Sequence, residues 1–194
     1  MFDTADLLVL LVAGKPDSEM HVWREVAPGI AALLSVGDER FLAPSEVDEI
    51  SQPVDALFGA ALANVRAQAE TKSDAKTIDN GAEITVVWGR NRFHASHMLC
   101  IDELIDDPSP YGTFVSVPFL GAIMLHVIRD ARYYDAVKVM ISETHSLHEG
   151  ADPLSTDIFW WHDGRFTLID TGVVNDVTTM SFPTEFGLEV VDKL

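Results

Sequence analysis

Two pairs of histidines stand three residues apart, a spacing that brings two imidazole rings to one face of a helix. The pairs are His94 with His97 and His145 with His148. Two such rings and a carboxylate could share a metal ion that activates water for hydrolysis. The second pair is the better candidate because it falls in a predicted helix, although the helix dipole also favours histidine in a last turn. Neither H-E-x-x-H nor a cysteine pair accompanies it, so we expect no metal.

Two pairs of adjacent carboxylates, Asp102-Glu103 and Asp106-Asp107, could serve general acid–base catalysis. The chain holds 31 acidic residues, however, so such pairs arise by chance and more typically form a solvated helix face. If this face has a function, binding a basic protein surface is the simpler one, because it needs no further residues. We therefore place Asp102, Glu103, Asp106 and Asp107 in a predicted partner-binding site.

The sequence lacks the common motifs of nucleophilic catalysis and phosphate binding. It contains no G-x-S-x-G, no G-x-G-x-x-G and no G-K-[ST]. Its one cysteine, Cys100, stands between Leu99 and Ile101 in a predicted apolar helix, which is typical of an inert buried thiol. We therefore expect no cofactor and predict that the protein is not an enzyme.

The charge balance restricts the possible partners. The 31 acidic and 13 basic residues give a net charge of −18, so nucleic acid is excluded as a partner because its binding depends on lysine and arginine. A field of this sign steers a basic protein toward the chain. The apolar run from Leu7 to Ala13 is too short for a membrane span and follows no basic residue. We expect a cytoplasmic protein that does not contact a membrane.

The clearest structural pattern is a hairpin near the C-terminus. Ile158 to His162 and Arg165 to Ile169 flank Asp163-Gly164, a dipeptide typical of a type I′ turn. A two-residue turn also sets the register of the two strands. The predicted pairs are Trp161–Phe166 and Phe159–Leu168 on one face, and His162–Arg165, Trp160–Thr167 and Ile158–Ile169 on the other.

The second face of this hairpin becomes polar toward its tip yet keeps Trp160, which leaves two interpretations. As an exposed aromatic residue near carboxylates, Trp160 with His162 would anchor a protein partner. Alternatively, a helix or the C-terminal segment covers it. Residues 171–194 contain enough apolar side chains to form such a cap or an added strand. A second copy of the chain is a further possible occupant of this face.

The other elements favour an α+β fold with a mostly antiparallel sheet and helices packed mainly on one face. Gly112 to Pro118 and Ile123 to Ile128 are strongly apolar and predict central strands. A long helix is expected from Asp130 to Gly150. The length of 194 residues fits one domain over residues 1–194, with 171–194 as its C-terminal cap or added strand.

Several short motifs occur in a characteristic order. They are Phe41 to Ala67, with Ala61, Leu62, Asn64 and Val65 in its helix; Pro110-Tyr111-Gly112 to Pro118; and Pro153-Leu154-Ser155 to Trp161. On these motifs the chain resembles the YtpQ-like family of bacterial proteins, and the resemblance covers roughly residues 20–168. The resemblance implies a cytosolic α+β domain without known catalytic residues and transfers no site. The matching positions are expected to have structural roles, as capping, turn and packing residues: Asn64, Gly112, Pro118 and Ser155.

Two functional hypotheses follow from these patterns. The first is a non-catalytic acidic domain that binds a basic protein, in its most specific form an immunity-type protein that neutralises a basic toxin. Its predicted site comprises Trp160, His162, Asp102, Glu103, Asp106 and Asp107. The second is a small metal-dependent hydrolase with a site at His145 and His148. The first is preferred because it needs only features that the sequence contains.

Overall fold

The computed structural model describes residues 3–38, 40–48, 52–68, 72–174 and 177–194, with side-chain surroundings left out at 48, 173, 174, 177 and 178. Eleven strands in these residues form two antiparallel sheets. In the small sheet β3 lies between β1 and β2, and β4 pairs with the end of β3. Its strands are β1 (Leu7–Ala13), β2 (Trp23–Ala27), β3 (Ile30–Val36) and β4 (Arg40–Phe41).

The large sheet has the order β11-β10-β9-β7-β8-β6-β5. Its strands are β5 (Lys72–Thr77), β6 (Glu83–Trp88), β7 (Thr113–Phe119), β8 (Ala122–Val127), β9 (Ile158–His162), β10 (Arg165–Val174) and β11 (Val177–Ser181). The two strongly apolar segments, β7 and β8, lie in the middle of this sheet. Apolar runs of this kind are suited to that position because both of their faces are covered.

The helical segments of the described chain lie between and beyond the strands. They are α1 (Pro44–Asp48), α2 (Val54–Gln68), α3 (Tyr133–His148), α4 (Thr184–Phe186), the 3₁₀ segments Thr4–Asp6 and His94–Leu104, and a π turn, Gly187–Val191. The apolar helix expected around Cys100 is the second 3₁₀ segment, interrupted where Cys100 adopts φ −135° and ψ 45°. None of the helices in the described ranges combines the length and apolar character needed to cross a bilayer.

The prediction of an α+β fold with antiparallel strands is confirmed. Side chains alternate across the large sheet, so Phe114 and Val115 enter two different apolar clusters. The cluster that contains Val115 lies between one face of the large sheet and the small sheet, α2 and the long 3₁₀ segment. The cluster of Phe114 lies under α3 and the C-terminal turn, where Phe186 and Val190 are fully buried. Both faces of the large sheet are therefore covered.

Candidate functional site

The hairpin of β9 and β10 has the predicted geometry. Asp163 and Gly164 adopt φ of 48° and 73°, the left-handed values that both central residues of a type I′ turn require. The pairing of His162 with Arg165 and of Trp160 with Thr167 is confirmed, as is that of the other three pairs. His162 and Trp160 therefore lie on one face of the sheet, next to the turn.

Trp160 is buried, with 2% of its surface exposed. The His162 ring stacks on its indole at 4.7 Å, and Phe186 packs edge-on at 5.2 Å. The interpretation of Trp160 as an exposed anchor is therefore wrong, because the C-terminal segment covers it. Its indole N–H donates to the carbonyl of Tyr111 at 2.9 Å, which satisfies the one polar group that burial would otherwise leave unpaired.

His162 fixes a second point of the same neighbouring segment. Its Nε2 lies 3.1 Å from the carbonyl oxygen of Pro110, so this nitrogen carries the proton and donates. Its Nδ1 lies 3.8 Å from a carboxylate oxygen of Asp163. The His162–Pro110 and Trp160–Tyr111 hydrogen bonds together attach the segment before β7 to this face of the hairpin.

The attached segment carries two of the predicted carboxylates, Asp106 and Asp107, both exposed. Three residues of chain span at most about 11 Å, which is the upper limit for the distance between Asp107 and Pro110. Arg129 binds Asp107 through its carboxylate at 3.0 Å and its carbonyl at 2.6 Å. Both residues therefore belong to the segment that the hairpin holds, and Asp107 already has a cationic partner.

The other two predicted carboxylates, Asp102 and Glu103, end the long 3₁₀ segment and are also exposed. A carboxylate oxygen of Glu103 lies 2.5 Å from the guanidinium of Arg66 in the last turn of α2. These residues are thus held on the side of α2, and no contact joins them to Trp160 or His162 within the described residues. The predicted site divides into two parts.

Three carboxylates that the sequence analysis did not select surround the tip of the hairpin. Asp163, Glu185 and Glu189 line a pocket of about 290 Å³ together with Trp160, His162, Arg165 and Thr167. We call this the acidic hairpin pocket. Glu189 also binds Lys193, whose ammonium lowers the pKa of that carboxyl. The available signal was the four-residue spacing of Glu185 and Glu189 in the segment expected to cap Trp160.

The two histidine pairs have structural roles or are exposed. His148 lies 3.0 Å from the carbonyl oxygen of Pro118 through Nδ1, and His145 is exposed. His94 and His97 are both buried and direct a ring nitrogen at a backbone carbonyl. Within the described ranges, no group of three or more histidine, cysteine, aspartate or glutamate residues is arranged to hold a metal ion.

Two buried histidines, His94 and His126, have lowered pKa values. Burial lowers the pKa of His94, and nearby His97 adds to the effect. Burial likewise lowers the pKa of His126, whose Nδ1 donates to the carbonyl of Glu83 at 2.7 Å. The other nitrogen of His126 is enclosed without a partner among the described residues. The folded protein therefore favours the neutral form of both rings.

We expect the free energy of unfolding to fall as the pH drops below about 6.5, the ordinary histidine pKa. Below this pH the histidines of the unfolded chain are protonated, whereas His94 and His126 stay neutral in the folded protein. Each of the two rings therefore lowers the free energy of unfolding by at most about 1.4 kcal/mol per pH unit. Urea unfolding between pH 7.5 and 5.5 measures this slope. His126→Gln should reduce it, whereas the exposed control His145→Gln should not; equal slopes in both variants would contradict the assignment.

Comparison of the chain with known protein families, curated proteins and solved structures finds no match. The resemblance to the YtpQ-like family therefore stays a prediction. The function has to be argued from the chain's own residues, and the acidic hairpin pocket gathers three of its carboxylates at one place.

Proposed function

We propose that this chain is a non-catalytic, cytoplasmic protein-binding domain that holds a basic protein at the acidic hairpin pocket. The observation that supports it best is that carboxylates from the hairpin turn and the C-terminal segment, Asp163, Glu185 and Glu189, surround one pocket. Asp106 and Asp107, four and three residues before the Pro110 that His162 binds, add to the negative field that a basic partner meets. An immunity-type protein that neutralises a basic toxin is the specific form of this proposal.

The charges of the pocket suit a lysine or arginine side chain of the partner. Arg165 is the one cation among the lining residues, against three carboxylates. Glu189 already pairs with Lys193, so Asp163 and Glu185 are the carboxylates left to receive a guest cation. The Asp163 side chain is largely exposed, so an ion pair with a guest cation there should contribute on the order of 0.2–1 kcal/mol.

The rigidity of the pocket wall favours binding as well. The stacked rings of Trp160 and His162 form this wall, and their hydrogen bonds to Tyr111 and Pro110 hold both rings in place. A wall that is already ordered loses little conformational entropy when a partner binds. The negative field around the pocket adds to the association rate and makes it sensitive to salt.

The proposal is tested with a fluorescently labelled lysine-rich peptide as the probe and fluorescence anisotropy as the measurement. We expect Asp163→Asn with Glu185→Gln to weaken binding about tenfold, which corresponds to about 1.4 kcal/mol. Asparagine tolerates the left-handed backbone at position 163, so the turn should persist. Raising the salt concentration should weaken binding by the parent protein.

The matched control, Asp74→Asn with Asp79→Asn, removes the same number of exposed charges at and beside β5, the edge of the large sheet remote from β10. At physiological salt, charges farther than about 8 Å from the bound peptide are screened, so this control should keep nearly full affinity. If both double variants weaken binding equally, the peptide responds to net charge and the pocket is not its site. Binding that does not respond to salt would also contradict the proposal.

A further inference from the structure

A second cavity, of about 420 Å³, lies beyond the end of β6 and is lined by a different set of side chains. Its lining includes Arg90 and Arg92, from the loop after β6, and Phe119 and Leu120, from the turn between β7 and β8. We call it the arginine cleft. None of its lining residues belongs to the acidic hairpin pocket.

Two glycines give the arginine cleft a fixed floor. The Gly89 N–H donates to the carbonyl of Gly121 at 3.0 Å, which joins the two turns. A Cβ atom on Gly89 would lie 2.1 Å from Nδ1 of His94, and one on Gly121 would lie 2.7 Å from the Phe119 ring. Larger residues would therefore push the turns apart, and the close contact needs glycine at both positions.

The loop that carries the arginines is anchored at its end. The Asn91 side chain accepts the N–H of Phe93 at 3.0 Å, and the Phe93 ring is buried. Arg90 and Arg92 stand on either side of Asn91 and are exposed. The Asn91–Phe93 hydrogen bond and the buried Phe93 ring thus fix the short loop that places both arginines at the cleft.

The two arginines of this cleft take part in none of the ion pairs among the described residues. In the described ranges, eight lysine or arginine side chains lie within 4 Å of a carboxylate: Arg24, Arg40, Arg66, Lys76, Arg129, Arg132, Lys138 and Lys193. Arg90 and Arg92 have no such contact in those ranges. A protein with a net charge of −18 therefore places two arginines together at one cavity without using them for ion pairs there.

We propose that the arginine cleft binds a small organic anion, a phosphate or carboxylate group attached to an apolar ring. Guanidinium groups bind both anions through paired N–H donors. Phe119 and Leu120 supply an apolar wall for the ring, and the volume lies within the range of small-molecule sites. Asp38 and Asp152 also line the cleft, so the anionic group lies on the arginine side and long polyanions are repelled.

Phenyl phosphate, benzoate and inorganic phosphate are the probes that test this proposal, with calorimetry and tryptophan fluorescence as measurements. Trp88 lies 6.0 Å from the Phe119 ring and reports on the wall of the cleft. We expect phenyl phosphate or benzoate to bind saturably, and inorganic phosphate to bind about tenfold more weakly because it leaves the apolar wall uncovered.

Arg90→Gln and Arg92→Gln should each weaken binding of the organic anion about tenfold. Lys15→Gln removes an exposed charge of the same sign after the end of β1, outside the cleft, and should leave the affinity unchanged. Three results would overturn the proposal: no saturation up to about 10 mM of either organic probe, equal affinity for inorganic phosphate, or equal losses in all three variants. None of these results bears on the acidic hairpin pocket, whose residues stay unchanged.

Discussion

Replacing Phe186 by alanine is expected to lower the free energy of unfolding by about 4 kcal/mol. The Phe186 side chain is fully buried and packs against four aromatic rings. Its ring centre lies 5.6 Å from Phe114, 4.5 Å from Phe182, 5.2 Å from Trp160 and 5.4 Å from Tyr133. Truncation would remove these contacts and open a cavity over the large sheet, so the cost combines lost burial with lost packing.

Thermal and urea unfolding measure this loss, and tryptophan fluorescence shows where it arises. For a chain of this size, 4 kcal/mol corresponds to a melting temperature lower by about 8–16 °C. The emission should also shift to the red, because water reaches Trp160. Leu188→Ala is the matched control in the same segment: its side chain is 59% exposed, so we expect a change below about 0.5 kcal/mol. Similar losses in both variants would show that the segment does not cap Trp160.

The hairpin was the part of the fold that the sequence predicted best. The Asp163-Gly164 turn and the five cross-strand pairs of β9 and β10 follow from local chemistry, since a two-residue turn leaves one register. The helix expected between Asp130 and Gly150 is present as α3, Tyr133–His148, although its N-cap is Arg132, which makes no side-chain capping bond, and not Asp130. Such features need no knowledge of distant contacts.

The surroundings of Trp160 could not be predicted in the same way. Its cover comes from Phe186, which lies 26 positions later and returns to the sheet only after β10 and β11. The amphipathic pattern of the C-terminal segment suggested a cap or an added strand. Backbone pairing places β11 beside β10, and the turn after it covers the indole. The choice between an exposed and a covered Trp160 depends on tertiary packing, which no local pattern encodes.

The carboxylates that meet at the candidate site could not be predicted from the sequence for the same reason. Among 31 carboxylates, adjacency in the chain singled out Asp102, Glu103, Asp106 and Asp107. Proximity in space instead groups Asp163, Glu185 and Glu189, because the C-terminal segment folds onto the hairpin. The segment before β7, which carries Asp106 and Asp107, is attached to the hairpin through the backbone carbonyls of Pro110 and Tyr111. A carbonyl that accepts such a bond has no signature in a sequence. The position of a binding surface is therefore the least local of the predicted properties.

Gly112→Ala is expected to be about as destabilising as the loss of Phe186, at about 3–5 kcal/mol. Gly112 has φ +81°, a left-handed conformation that costs an alanine about 1–2 kcal/mol. A Cβ atom there would also lie 2.4 Å from the carbonyl oxygen of Trp161 and 2.8 Å from Nε1 of Trp160. Both contacts are too short, so β7 and β9 or the indole would have to move.

Gly164→Ala separates the two causes, because Gly164 has φ +73° but an added Cβ atom there would meet nothing within 4 Å. The control should therefore cost only the backbone term, about 1–2 kcal/mol by urea unfolding. The remaining loss in Gly112→Ala is the cost of separating the hairpin from the segment before β7, which carries Asp106 and Asp107. Because that segment holds the Trp160 and His162 rings in place, Gly112→Ala should also bind the lysine-rich peptide more weakly at temperatures where the variant is still folded. Equal losses of stability in the two variants would mean that the close approach of Gly112 to Trp160 and Trp161 does not hold that segment in place.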